Sequence, residues 1–193
     1  MQWLAGLLAV GVLAWVGYGY LTVHNLGEPR YVISESQEGY EIRDYEAFIV
    51  AETEMSGSIE SALKEGFILL EDYITGDNLT LTTIPPKLPI MQHSSVVGRH
   101  IIQMAMPRSY SIQQMPRPNN PAVRLRLIPA RTVAALHFSW WASPARIDEQ
   151  KRELVEILKL EGIEVVGTPQ VAFYDESMTV PYEIIVPIRV VRQ

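Results

Sequence analysis

The sequence contains no cysteine, so disulfide bonds, thiolate metal sites, a cysteine nucleophile and lipid attachment through cysteine are all excluded. It also contains no basic run. The 16 Lys and Arg residues are outnumbered by 22 Asp and Glu residues, giving a formal net charge of -6. Nucleic-acid binding needs a concentrated positive surface. We therefore expect no nucleic-acid partner.

Charged side chains are missing from residues 3–23, a run of 21 residues without Asp, Glu, Lys or Arg. As a helix this run reaches about 30 Å, the thickness of a bilayer core. Trp3 at one end and Tyr18 and Tyr20 near the other suit the headgroup level. The alternative is a signal peptide, but no Lys or Arg precedes the run and no small-x-small cleavage site follows it. The sequence therefore predicts that residues 1–24 are an uncleaved single-pass anchor in contact with membrane lipid.

Residues 25–30 form a short polar linker to a single domain, residues 31–193, whose length fits one globular unit. A segment rich in Lys and Arg next to a membrane helix tends to stay on the cytoplasmic side. Only Arg30 and Arg43 lie soon after the predicted helix, so little holds the domain there. We expect the soluble domain on the non-cytoplasmic, periplasmic side.

The domain alternates between strand-like and helical patterns. Strands are predicted at residues 31–33, 40–43, 48–51, 100–106, 123–127, 132–138, 170–174 and 182–190. A helix follows Ser58 and ends at Gly76, and a second runs over residues 144–161 with Ser143 as its cap. Pro187 places the last strand at an edge or a bulge.

The order strand, strand, helix occurs twice. An offset of 83 places Arg43 on Arg126 and Val50 on Val133, together with Ala47 on Ala130 and Ala51 on Ala134. This indicates a duplicated unit. The predicted fold class is α+β: one antiparallel sheet, a distorted barrel, with two helices from the duplicated strand-strand-helix unit, preceded by the transmembrane helix.

Several stretches from Glu28 to Val190 resemble one family in their order and spacing. They are Tyr40-Glu41-Ile42-Arg43-x-Tyr45, Gly66-Phe67 with Gly76-Asp77-Asn78, Met106-Pro107-x-x-Tyr110, Pro116-x-Pro118 and Gly167-x-Pro169. Together they resemble the SOUL heme-binding family. The resemblance implies a sheet-and-helix fold of two related halves and non-covalent binding of heme or another porphyrin. The sequence departs from the family pattern after the first helix, at residues 87–94, and near the end, at residues 181–184.

Iron in a heme needs an axial donor, the macrocycle needs apolar walls, and cations suit the propionates. The candidate cofactor-binding residues are His93, Met91, Phe67, Leu70, Tyr73 and Arg126, and His93 is the candidate metal ligand. His93 is expected in a loop beside Met91. Each has an ordinary alternative. His93 suits a solvated loop, Met91 suits core filling, and Arg126 suits an exposed strand position. Phe67, Leu70 and Tyr73 have the spacing of a core-facing helical stripe.

No Gly-x-Ser-x-Gly, HExxH or P-loop pattern occurs, and we expect no enzymatic activity. The sequence predicts a membrane-anchored protein that binds a tetrapyrrole in an apolar cleft between sheet and helix. The alternative is an accessory subunit of a larger membrane complex, in which the anchor packs on other transmembrane subunits and the domain is a docking surface without heme. The altered segment at residues 87–94 and the adjacent Trp140 and Trp141 favour that alternative.

Overall fold

A computed structural model describes residues 29–85, 88–96, 98–137, 143–174 and 183–190. The predicted anchor, residues 1–24, lies outside these ranges, and so do Trp140 and Trp141. Within them, no helix has the length and apolar character that crossing a bilayer requires.

Ten strands and two helices make up the described fold, which is the α+β class that the sequence predicts. The strands are β1 (Tyr31–Ser36), β2 (Glu41–Tyr45), β3 (Phe48–Ser56), β4 (Ile90–Val96), β5 (Arg99–Ala105), β6 (Arg124–Ile128), β7 (Arg131–His137), β8 (Glu164–Val165), β9 (Gln170–Phe173) and β10 (Glu183–Arg189). The helices are α1 (Ile59–Thr75) and α2 (Pro144–Leu160).

Both helices begin and end where the sequence predicts. The Ser58 hydroxyl accepts a hydrogen bond from the Ser61 backbone N–H at the start of α1. Ser143 does the same for α2, whose first residue is proline. Serine satisfies an N–H that the first turn leaves without a partner. Gly76, with a φ of 129°, ends α1 in a conformation that side chains disfavour.

The sheet order is β1-β2-β7-β10-β9-β4-β5-β3-β6, and β8 pairs with β10. Between β2 and β6 this order is the same from either end once equivalent strands are matched. The matches are β2 with β6, β3 with β7, β4 with β9 and β5 with β10. We call residues 41–105 the first unit and residues 124–189 the second. The first strand of each unit pairs with the second strand of the other. This exchange supports the duplication inferred from the sequence.

The sheet curls because two tight links join strands from its opposite sides. Residues 46–47 connect β2 to β3, and residues 129–130 connect β6 to β7. The Tyr45 and Phe48 rings consequently approach to 6.2 Å between centroids. We call the face on which these side chains meet the inner face. The result is a half-barrel, antiparallel throughout.

Two apolar layers hold the half-barrel together. Helices α1 and α2 pack on the outer face, where Leu70 and Tyr73 of α1 and Leu158 of α2 are fully buried. The inner face has its own core. It consists of Tyr45, Phe48, Val50, Met91, Ile128, Val133, Ala172 and Ile185. Burial of both faces explains why several strands contain consecutive apolar residues.

Two predictions about local structure were wrong. Residues 90–96 form β4, a strand with β5 on one side and β9 on the other, so His93 is not in a loop. Pro187 lies in an interior strand, paired with Val133 of β7. Proline is accommodated there because the other neighbour changes from β9 to β8 at this point. Gly167 makes room for the ring, since a Cβ on it would lie 2.9 Å from Pro187.

Candidate functional site

A row of paired residues crosses the middle of the inner face. In register order it contains His137, Glu183, Ala172, Met91, Gln103 and Glu52. Met91 and Ala172 are apolar and lie at the junction of the two units, whereas the residues on either side of them in the row are polar or ionisable. The central strands therefore contain a buried apolar strip, with Met91 2% and Ala172 0% exposed, and polar groups lie on either side of it.

A chain of hydrogen bonds runs across this face from a cation to a carboxylate. An Arg131 amino group donates to Gln170 Oε1 at 2.8 Å, Gln170 Nε2 donates to Gln103 Oε1 at 3.4 Å, and Gln103 Nε2 donates to Glu52 at 2.8 Å. Arg126 lies 3.6 Å from the same carboxylate. Because Arg131 can only donate, it fixes the orientation of each amide along the chain.

His93 joins this chain through Gln170, whose Nε2 lies 3.1 Å from His93 Nδ1. Arg131 has already engaged Gln170 Oε1, so the amide nitrogen donates and Nδ1 accepts. Burial lowers the pKa of His93, and Arg131 and Arg126 lower it further against the charge of Glu52. The imidazole is therefore neutral near pH 7, with its proton on Nε2.

Arg131 is a cation without a paired carboxylate among the described residues. Its Nε is buried and has no hydrogen-bond partner there. Burial lowers the pKa of Arg131, Tyr45 acts in the opposite direction, and Arg126 lowers the pKa further. The guanidinium carbon lies 5.9 Å from the centroid of the Phe48 ring, a favourable but weak contact. Charged groups with buried donor atoms are normally paired, and this half-buried guanidinium is a candidate for a group from outside the chain.

The opposite side of the inner face is closed by ion pairs. Arg43 is 1% exposed and lies 2.8 Å from both Glu183 and Glu41. Its guanidinium also lies over the Tyr31 ring, at 4.4 Å from the centroid. Burial alone would lower the pKa of Arg43, but the hydrogen bond and charge of Glu183 reverse this and raise it. Glu183 also accepts a hydrogen bond from the Tyr174 hydroxyl at 2.8 Å.

The six predicted site residues divide between the two faces. Met91 and His93 of β4 and Arg126 of β6 belong to the inner face. Leu70 and Tyr73 of α1 lie in the outer core, and Phe67 packs against that core. The Tyr73 hydroxyl donates to the backbone oxygen of Pro116 at 2.8 Å. The sheet separates the two groups, so they do not line one cleft.

Sequence reasoning missed the amides that connect the site, Gln103 and Gln170, together with Glu52 and Glu183. They lie on strands among apolar residues, and the useful signal is a long polar residue inside an otherwise apolar strand. No group of three or more His, Asp or Glu residues able to hold a metal ion occurs in the part of the chain that the structure describes.

The family model described as SOUL heme-binding protein matches residues 26–184. No curated protein matches the chain. Among solved structures, the EcmrR C-terminal domain is similar with a TM-score of 0.59 at 11% identity, over 79% of this chain and 98% of that one. EcmrR in its complex with DNA has a TM-score of 0.60 at 12% identity, and the match covers 93% of this chain and 65% of that one. A hydrolase from Listeria innocua has a TM-score of 0.53 at 8% identity, and the match covers 81% of this chain and 94% of that one. At these identities the likeness is one of fold.

Proposed function

Because the chain belongs to the SOUL heme-binding protein family, we propose that it binds a tetrapyrrole, heme or another porphyrin, non-covalently at the inner face of the half-barrel. One observation supports this site most directly. A neutral imidazole, a guanidinium that no carboxylate of the described residues pairs, and the buried strip of Met91 and Ala172 come together on one face. These are the donor, the cation and the wall that a tetrapyrrole needs.

The residues present fit such a ligand in distinct ways. Met91 is 2% exposed, so it offers a polarisable apolar contact to a macrocycle that displaces the side chains covering it, while Arg131 and Arg126 suit the carboxylates. The orphaned Nε of Arg131 is the donor that a carboxylate would satisfy. His93 is the candidate donor to iron. A bound heme supplies the redox-active iron, and the protein contributes binding, orientation and local charge.

The hydrogen bond from Gln170 limits what His93 can do. With Nδ1 accepting and the proton on Nε2, neither ring nitrogen presents a free lone pair. Donation to iron through Nε2 requires the proton to be on Nδ1, and Gln170 must then turn its oxygen toward the ring or withdraw. We therefore expect the macrocycle and its carboxylates to provide most of the affinity.

The proposal is tested by titrating the full-length chain with heme and following the Soret band. His93→Ala is the test variant, and His137→Ala, a 60% exposed histidine at the closed side, is its control. Saturable one-to-one binding with a band that changes only in His93→Ala supports iron ligation by His93. Saturable binding unchanged in both variants supports binding without an iron ligand. Absence of saturable binding contradicts the proposed function.

The second candidate is an accessory subunit that docks on a membrane complex. The observation that favours it is edge strand β1, where Val32 is 70% exposed and Ile33 37%. An exposed strand edge is a template for pairing with another chain. Val32→Lys with Ile33→Lys should abolish co-purification of a partner subunit and leave heme binding unchanged. If heme binding is lost instead, this candidate fails.

We also propose that residues 1–24 anchor the domain in a membrane, with the domain on the periplasmic side. The support is the uncharged run at residues 3–23. Resistance of the full-length chain to alkaline extraction, together with proteolysis of the domain in spheroplasts, is the expected result. Release by alkali contradicts the anchor, and protection from protease contradicts the orientation.

A further inference from the structure

The second unit places a charge inside the half-barrel where the first unit places a ring. The offset of 83 that relates Arg43 to Arg126 also relates Phe48 to Arg131. Phe48 is buried in the inner core, and the Arg131 guanidinium lies against its ring. An apolar residue at position 131 would suit the same core. The guanidinium is therefore unexplained by packing.

Among the residues that the structure describes, no carboxylate forms a salt bridge with Arg131. The salt bridges among described residues pair Arg43 with Glu183 and Arg126 with Glu52, and none includes Arg131. Its Nε is buried without an acceptor, while one amino group is held by Gln170. A guanidinium presents its donors in a planar fork that matches the two oxygens of a carboxylate.

We propose that Arg131 is a carboxylate-recognition residue, which binds an acid group of the ligand inside the half-barrel. The identity of the ligand as a tetrapyrrole rests on the proposed function, but the anion site does not. A carboxylate there accepts from Nε and pairs with this half-buried charge, and no described residue makes either interaction. Gln170 holds the guanidinium in place, which reduces the ordering needed on binding.

The first experiment compares metal-free protoporphyrin IX with its dimethyl ester, using the full-length chain and porphyrin fluorescence. The two probes share a macrocycle and differ in their acid groups. We expect the free acid to bind at least about tenfold more tightly than the ester, since each charge-assisted hydrogen bond is substantial. Arg131→Gln should remove this preference. Arg131→Lys, which keeps the charge but loses the fork, should keep only part of it.

The matched control is Arg189→Gln on the adjacent strand β10. Arg189 is exposed and already paired with Glu164 at 2.9 Å, so its loss should leave the preference unchanged. Thermal unfolding of each variant verifies that it is folded. Equal binding of acid and ester by the natural chain, or a preference that persists in Arg131→Gln, would overturn the carboxylate site while leaving tetrapyrrole binding intact.

A second readout covers the case in which neither porphyrin binds and the proposed function fails. Benzoate is titrated into the isotope-labelled full-length chain while the Arg131 Nε–H resonance is followed by NMR, with the signal assigned from its loss in Arg131→Gln. A saturable shift of this resonance, absent for Arg189, supports the anion site. An unmoved resonance overturns it.

Discussion

Arg43 and Arg126 occupy equivalent positions in the two units, yet their surroundings differ completely. Arg43 of β2 pairs in register with Val133 of β7, and Arg126 of β6 pairs with Val50 of β3. The side chain of Arg43 is 1% exposed, whereas that of Arg126 is 56% exposed. The repeat is therefore symmetric in its backbone and asymmetric in its charges. One side of the inner face is closed by internal ion pairs, and the other contains Arg131, which no salt bridge among the described residues includes.

The helices differ in a similar way. Both contain 17 residues, and the eighth is Gly66 in α1 and Lys151 in α2. Gly66 lets α1 approach the sheet closely, since a Cβ would lie 2.6 Å from Ile102 Cγ1. Lys151 borders a groove of about 460 Å³ beside α2. The duplicated fold thus has no side chain at this helix position in one unit and a lysine side chain, 16% exposed, in the other.

The largest expected effect separates the two arginines by stability. Arg43→Met should lower the free energy of unfolding by about 3–5 kcal/mol, because it leaves Glu183 charged and buried without its main partner. Arg126→Met should cost less than about 1 kcal/mol, as expected for an exposed pair. Urea unfolding measures both. Arg43→Met with Glu183→Met should recover much of the loss, and equal costs for the two single variants would refute the asymmetry.

A smaller difference is expected between the helices. Gly66→Ala should destabilise the protein by about 1–3 kcal/mol through the clash with Ile102. Intrinsic helix propensity acts in the opposite direction, favouring alanine over glycine by about 1 kcal/mol. Lys151→Ala, at the equivalent position, should change stability by less than about 1 kcal/mol. Thermal unfolding of both variants is the measurement, and a stabilised Gly66→Ala would show that α1 does not need the close approach.

Gln170→Glu sharpens the comparison at the site itself. A carboxylate beside His93 Nδ1 accepts rather than donates, so the ring proton moves to Nδ1 and Nε2 is free for iron. The same carboxylate pairs with Arg131 and competes with a ligand acid. Heme should therefore show an imidazole-ligated Soret band that His93→Ala removes, while the preference for protoporphyrin IX over its ester falls about tenfold. This arrangement would be contradicted if iron ligation by His93 and the preference for protoporphyrin IX both increased, or both decreased.

The smallest expected effect is a pH dependence of stability. Burial lowers the pKa of His93 from its ordinary value of 6.5. As the pH falls below 6.5, the unfolded chain binds a proton that the folded chain resists, so stability decreases toward acid. Above 6.5 both states are neutral at this residue, and it contributes no dependence. His93→Gln should flatten the slope between pH 6.5 and the lowered pKa, and an unchanged slope in this variant would contradict the expectation. Urea unfolding across this range is the test.

Local signals predicted the helices and most strands well. Ser58 and Gly76 bound α1, and Ser143 begins α2, because caps depend on residues close in sequence. Strand β4 was missed because residues 92–95 are polar and lack a strand-like alternation. Pairing with β5 and β9 compensates, since Gln92 lies 3.2 Å from His100 and His93 bonds Gln170. Strand β4 therefore depends on pairing with β9, which is distant in the sequence, as well as with β5.

Met91 and His93 share the inner face because they are two apart on strand β4, where the sequence predicted a loop. The other members were not predictable in this way. Phe67, Leu70 and Tyr73 have the spacing of a core stripe, and the same spacing suits a pocket wall. Only the position of α1 on the outer face separates them from His93.

The sequence by itself determined the family, the two related units, the capped helices and the uncharged run at residues 3–23, since each depends on local pattern or on order along the chain. The tertiary structure alone decided which strand of the first unit pairs with which strand of the second. It therefore also decided which of the two equivalent arginines is buried. Arg43 and Arg126 are equivalent in sequence, and their difference arises from Glu183 and Glu52, residues that the chain brings close only when the sheet curls. Charge compensation depends on distances in space, which no local pattern contains.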